Sequence, residues 1–314
     1  MSAARDPLRR AVDQELRRDV PAAVAAFAAQ LAQRGETVAA VLFYGSNLRT
    51  GDLDGVLDFY VLVDRLGSWH RHRLAALANR ALPPNVCYET ARIAGHELRA
   101  KVAVLSLQQF QHGMRAGAID TSLWARFAQP LGLAWVRDDA ARAQTVEAVS
   151  TALATAARWA ALLGPASATA AEFWQALFQR TYAAELRVER AGGRARSLVE
   201  HERERYTKLL PLAWRATGVE FRVRNLNLLE PRLNDVQRRS GARAWRLRHA
   251  MGKPLNLARL GKATFTFDNG ADYVAWKVER HSGLKLELSD FQRRHPLLAA
   301  PAILWKLMRN KVLR

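Results

Sequence analysis

The sequence predicts an α/β chain in which a mixed sheet near the N-terminus is followed by a mostly helical stretch and a basic C-terminal extension. Three observations predict it. Short β-branched and aromatic runs at residues 37–44, 58–63 and 99–105 alternate with helical segments over the first hundred residues. From about residue 107 to 214 the texture is helical, interrupted at Gly113, Gly132, Gly164-Pro165 and Gly192-Gly193. Beyond Trp214 the chain turns rich in Asn and Arg.

Residues 6–34, rich in Ala, Leu and Arg, read as helix, with Asp19 and Pro21 marking a restart. The run 37–44 ends at Gly45 and reads as a strand entering a turn. Residues 45–56, full of Gly, Asp, Asn and Thr, are loop. The run 58–63 is apolar on both faces, as a central strand should be. Residues 69–80 read as helix and 99–105 as a third strand. Further on, 264–268 (Thr-Phe-Thr-Phe-Asp) reads as a strand and 273–277 as a helix start. The expected units are 1–110 for the sheet domain, 111–216 for a helical domain closing over it, and 217–314 for the basic extension.

A length of 314 residues, 49% hydrophobic and 25% charged, is that of a globular chain and excludes wholesale disorder. The single cysteine, Cys87, excludes an internal disulfide framework or a CxxC metal clip and suits a reducing compartment. Residues 1–20 are studded with charge, and the apolar run 296–305 is about half a bilayer span, so neither a signal peptide nor a membrane span is expected. Lys and Arg number 48 against 29 Asp and Glu, a net +19. Residues 217–314 hold 20 of these bases and 8 of the acids, hence +12 of the +19. Such a balance favours a polyanionic partner, either an anionic membrane face or nucleic acid, although a codon bias toward Arg and Ala also accounts for part of it.

The chemistry-bearing constellation is Phe43-Tyr-Gly-Ser46 followed, after 11 residues, by Asp58-Phe-Tyr-Val. A Gly-Ser turn after a strand lets backbone N–H groups and a hydroxyl come close to phosphates. A carboxylate heading the neighbouring strand suits the metal ion bridging those phosphates. This is the layout of polymerase-β-like nucleotidyltransferases, in which a second carboxylate usually sits two residues on; here that place is taken by Tyr60. Asp64 shares the face but lies six residues on, ~20 Å along an extended strand. The loop acids Asp52 and Asp54 are nearer.

In order after Asp58 come Trp69-His70, Asn79, Tyr88, Lys101-Val-Ala-Val-Leu-Ser106, Ser122-Leu-Trp-Ala-Arg-Phe-Ala-Gln-Pro130 and Thr181-Tyr-Ala-Ala-Glu-Leu-Arg-Val188. Over residues 36–215 this order resembles the mitochondrial-translocator-maintenance family of CTP:phosphatidate cytidylyltransferases. It departs from that family's pattern at Cys87, Asn47, Val102, Gln129 and Glu185. The resemblance implies a Mg²⁺-dependent transfer in which phosphatidate attacks the α-phosphorus of CTP, giving CDP-diacylglycerol and pyrophosphate. By resemblance Gly45 and Ser46 face the triphosphate, Asp58 holds Mg²⁺, and Lys101 neutralises phosphate charge. Tyr182, Glu185, Arg187 and Arg126 then complete the site from the helical half. The implied setting is the cytoplasmic side of the inner membrane, peripherally bound.

Each residue also has a plainer reading. Lys101 fits a solvent-facing strand head, Arg187 with Glu185 and Glu189 a helical ion-pair face, Tyr182 a core aromatic, and Trp69-His70 a packing pair. The stretch 295–314, mixing aliphatics and Trp305 with four bases, suits either an interfacial helix or a core helix with a basic rim. Arg222, Arg224, Arg232, Arg238, Arg239, Arg243, Arg246 and Arg248 suit a phosphate-tracking groove, so a nucleotidyltransferase or nucleotide-binding module acting on RNA is the competing reading. A degenerate, inactive pocket is the third, because of Tyr60.

Overall fold

The computed structural model describes residues 2–70, 72–185, 191–224 and 227–266, together with Ser289 and Gln292. Two N-terminal helices, α1 (Ser2–Leu16) and α2 (Ala22–Gln33), meet where Asp19 and Pro21 interrupt the pattern. Strands β1 (Val38–Tyr44) and β2 (Val56–Val63) flank a loop holding the five-residue helix α3 (Ser46–Thr50). Helix α4 (Arg73–Ala81), β3 (Asn85–Ile93), β4 (His96–Ser106), α5 (Leu107–Gly113), α6 (Ser122–Phe127) and β5 (Leu131–Val136) complete the α/β half. The helical half is α7 (Asp139–Leu163), α8 (Ala170–Ala184), α9 (Ala191–His201) and α10 (Arg203–Ala216). A hairpin of β6 (Phe221–Arg224) and β7 (Leu228–Pro231) leads into α11 (Asp235–Thr266).

The main sheet has the order β3-β4-β2-β1-β5 and is mixed: β2 and β4 run parallel, and the other pairs are antiparallel. Alternation divides its side chains between two cores. Val41, Phe43, Phe59, Val61 and Val104 face α2, where Phe27 meets Phe59 edge-on at 5.6 Å. Leu42, Tyr60, Leu62, Ala103 and Leu105 face the helical half and share one apolar cluster with Trp124, Trp159, Trp214 and Trp245. That cluster, which runs from Leu8 to Trp245, crosses the expected boundaries at 110/111 and 216/217.

Several elements differ from the sequence reading. The strand bearing Lys101 is the fourth, because residues 85–93 pair as an extra antiparallel strand on its outer side. Residues 131–136 pair with β1 although Pro130 and Gly132 interrupt the apolar run. Gly132 is needed there: a Cβ would lie 2.6 Å from Val20 Cγ1. Residues 264–266, expected to open a strand, continue α11 as helix, with Phe265 exposed to solvent. The helix start at 273–277 and the basic apolar stretch 295–314 lie outside the described residues. Among the described residues no helix is long and apolar enough to cross a membrane.

Helix α11 is tied down by buried and half-buried cations. Arg248 donates to the carbonyls of Ala116 and Ala118 at 3.0 Å and lies 4.6 Å above the Trp159 ring. Arg259 pairs with Asp120 at 2.5 Å and donates to Pro83 O at 2.8 Å. Lys262 donates to Leu82 O at 2.5 Å and Pro84 O at 2.6 Å. At Gly252 the helix comes so close to the end of α8 that a Cβ would lie 2.2 Å from Ala184 O.

Gly252→Ala should therefore force α11 off α8 and destabilise the chain by about 1–3 kcal/mol. Gly193→Ala, where nothing lies within 4 Å of the added Cβ, should be neutral or raise stability by up to about 1 kcal/mol through helix propensity. Urea midpoints of the two variants, compared with the parent, separate these effects. Burial, reinforced by the Arg259 charge, holds the Lys262 ammonium down at about 8. Between pH 8 and its ordinary value of 10.5 the unfolded chain thus binds more protons at this group than the folded one. Its contribution to stability should rise with pH over that window. In a series of melts from pH 7.5 upward, Lys262→Met should flatten the profile relative to the parent.

Candidate functional site

The β register assembles a single row across the sheet. Tyr44 of β1 stands opposite Asp58 of β2, Asp58 beside Lys101 of β4, and Lys101 opposite Tyr88 of β3. Residues in register share a face, and neighbouring strands are ~4.8 Å apart, so Asp58 and Lys101 are adjacent on the face turned toward the helical half. Asp58 is half-buried, Lys101 exposed and Tyr88 buried.

Gly45 follows Tyr44 with φ 97° and ψ −163°, a conformation open to glycine and costly for other residues. A second constraint acts at the same position: a Cβ there would lie 2.8 Å from Asp58 Oδ2. The carboxylate thus rests directly against the Gly45 backbone. Ser46, exposed, opens the short α3 turn, and buried Asn47 closes the loop by donating from Nδ2 to Asp52 O at 2.8 Å. Asp52 accepts from the Asp54 backbone N–H within this loop.

Arg126 of α6 reaches the same face. Its Nη1 donates to Tyr60 Oη at 3.0 Å and to Tyr44 Oη at 3.3 Å. The guanidinium carbon lies 5.3 Å from the Tyr44 ring centre and 5.9 Å from that of Tyr60, whose two rings are 5.2 Å apart. Attraction to Tyr60 is the foremost reason the Arg126 pKa is raised; burial opposes it, and Tyr44, Glu185 and Asp58 add to it. Burial pushes the Tyr44 phenol well above its usual range, so it stays protonated. Glu185, the C-cap of α8, therefore contributes to the same electrostatic environment as Asp58 and Arg126.

The sequence-predicted residues separate as follows. Gly45, Ser46, Asp58 and Lys101 come together on adjoining strands, with Arg126 over them and Glu185 acting on Arg126. Tyr182 is buried in the core, stacked on Phe178 at 6.3 Å. Arg187 lies outside the described residues. Asp64, at the far end of β2, pairs with Arg137 at 2.6 Å and takes no part. His70 is held by Asn79 at 2.9 Å, and the same amide donates to Val104 O at 3.0 Å. The Asn79 carbonyl oxygen accepts from Asn85 N, so this cluster braces α4 against β3 and β4.

Two residues joined to this site, Tyr44 and Tyr60, were not among those expected. Period-two alternation from Asp58 would have found Tyr60, and Tyr44 directly precedes the Gly-Ser turn. Among the described residues no group of three or more His, Cys, Asp or Glu could hold a metal ion. The donor set therefore does not make a protein cage. It does suit Mg²⁺, which is commonly bound through one or two carboxylates together with substrate phosphates, and the Asp58 carboxylate sits against a glycine that keeps its flank clear. Neither the protein-family models nor the curated proteins contain a match to this chain.

Tyr60→Phe should remove the shorter of the two hydrogen bonds to Arg126 without opening a cavity. A loss of about 1.5–3 kcal/mol in denaturant-derived stability is expected, as for a bond to a charged group. A loss below a few tenths would mean that Tyr44 alone suffices to hold the guanidinium.

Proposed function

We propose that this chain is a Mg²⁺-dependent nucleotidyltransferase, a CTP:phosphatidate cytidylyltransferase that makes CDP-diacylglycerol and pyrophosphate at a membrane surface. The observation that carries a nucleotidyltransferase reading is the row on one sheet face, in which a half-buried carboxylate and an exposed lysine stand side by side at a glycine turn, beneath a half-buried guanidinium; CTP and phosphatidate are what the resemblance implies. The attacking phosphate oxygen of phosphatidate forms a bond to the α-phosphorus of CTP as the bond from that phosphorus to the bridging oxygen of pyrophosphate breaks. A phosphate monoester with its second pKa near ~6 is already ionised at neutral pH, so the site needs no strong general base. What the protein must supply is positioning and positive charge.

In this reading Gly45, lacking a Cβ, lets phosphates approach the turn, and Ser46 offers its hydroxyl there. Lys101 and Arg126 bring cationic charge to the same face. Asp58 would hold Mg²⁺ together with the phosphates, and the ion would offset charge accumulating on the leaving pyrophosphate. Tyr44 and Tyr60 keep the guanidinium oriented, and Glu185 offsets part of its charge. The net charge of +19 favours an acceptor presented in an anionic membrane, and peripheral association with the cytoplasmic side of the inner membrane is the setting the resemblance implies.

Radiolabelled CTP with Mg²⁺ and phosphatidate-containing liposomes, followed by extraction of the lipid phase, tests this directly. Label should enter the lipid with CTP and not with ATP or GTP. Asp58→Ala should abolish it, and Lys101→Ala should lower turnover by about 10²–10³-fold, with both variants retaining the parent's circular dichroism. Lipid labelling that survives Asp58→Ala would refute the assignment of the row. Label transferred to RNA in place of lipid would replace the acceptor.

A further inference from the structure

Away from the sheet row, the ends of several helices meet the flank of α7 and enclose a groove of about 900 Å³. Arg9 of α1, Arg115 just beyond α5, Arg158 of α7 and Arg215 of α10 line it, against one carboxylate, Glu147. A second depression of about 870 Å³ continues it past Arg158 and adds Arg232, Arg248 and Glu220, with Arg232 and Glu220 4.0 Å apart. Four arginines elsewhere are matched to carboxylates: Arg205 pairs with Glu15, Arg142 with Asp13, Arg137 with Asp64 and Arg259 with Asp120. In the groove Arg215 rests over the Phe221 ring at 5.4 Å, while Arg9, Arg115 and Arg158 are exposed. Among the described residues those three form no ion pair. Arginines from α1, the end of α5, α7 and α10 thus line one concave space that holds a single carboxylate. A planar fork of donors matches phosphate oxygens, and several such forks around one cavity match several phosphates.

We infer that this groove binds a small, multiply charged phosphate anion, recognised through its phosphates alone. No aromatic ring lines the first depression, and the one in its continuation, Trp159, is buried beneath the Arg248 guanidinium, so a base finds no open stacking platform, which argues against a single-stranded nucleic acid. The volume is that of a small-molecule site. The groove shares no residue with the Tyr44–Asp58–Lys101 row, so the inference stands apart from the proposed transfer reaction.

The test is calorimetric titration of the full chain with inorganic tripolyphosphate at 150 mM salt, with CTP and ATP as parallel arms. Saturable binding of tripolyphosphate is expected, with the Asp58 row a second site in the CTP arm. Arg115→Ala/Arg158→Ala should weaken it by roughly tenfold or more, the loss expected from removing two charge-assisted contacts. Arg239→Ala/Arg243→Ala, which removes the same charge from the exposed side of α11, should leave it within about twofold, and so should Asp58→Ala. Equal affinities for the three anions would support recognition through phosphates alone, and tighter binding of CTP or ATP than of tripolyphosphate would refute it. Four further results would overturn the inference. These are the absence of saturation, equal weakening in the α11 pair, loss in Asp58→Ala with the groove pair unaffected, and an oligonucleotide that binds more tightly than tripolyphosphate and depends on Arg115 and Arg158. A thermal melt with and without tripolyphosphate keeps the comparison valid if a variant is less stable, because a ligand of the native state raises its Tm.

Discussion

A half-buried cation between a sheet and a helical layer must be held by something, and in this fold Arg126 is held by two tyrosine hydroxyls. The sheet presents Tyr44 and Tyr60 from neighbouring strands, and α6 delivers the guanidinium across the interface between the two halves. Hydroxyls supply hydrogen bonds but no formal charge, so the compensation comes from Asp58 and Glu185, one from each half. Phe127, the next residue of α6, packs on Tyr60 at 4.9 Å, so the helix that delivers the guanidinium also rests on one of the rings that holds it.

The strong basicity of the chain reads differently once the arginines are placed. Arg205 donates from Nε to both oxygens of Glu15 and from Nη1 to Ala128 O, joining α1 and α10 to the segment before β5. Arg248 and Arg259 fasten α11 to loop carbonyls, and Arg34 pairs with Glu89 while lying 5.0 Å from the Trp69 ring. Of the run that suggested a phosphate-tracking groove, Arg248 is such an internal fastener, a buried strut. Arg222, Arg224, Arg232, Arg239, Arg243 and Arg246 of that run face solvent.

The parts of the architecture that were legible in the sequence are those fixed by local chemistry. The break between α1 and α2, the strands at 38–44 and 56–63 and the glycine turn between them were each readable from period and turn residues. So was the adjacency of Asp58 to a turn. The edge strands were not. Residues 85–93 and 131–136 owe their conformation to pairing partners, β4 and β1, distant in sequence, and propensity is weak against such tertiary demands. The site was legible in its types and not in its assembly. Asp58 and Lys101 are side by side through a parallel register that no local pattern encodes. Arg126 arrives from 66 residues beyond Tyr60. Tyr60 at the place of a usual second acid read as a defect, whereas in three dimensions it is a ligand for a guanidinium.

The lone cysteine has a use of its own. Cys87 stands one residue before Tyr88 on β3, buried, with its Sγ 3.7 Å from Val102 O on the neighbouring strand. A thiol so enclosed in the core beneath α2 is reached by a modifying reagent only when the structure around β3 opens, and the chain has no second thiol to confuse the signal. Its labelling half-time is therefore a native clock for opening at the outer edge of the sheet, with no engineered probe in the protein.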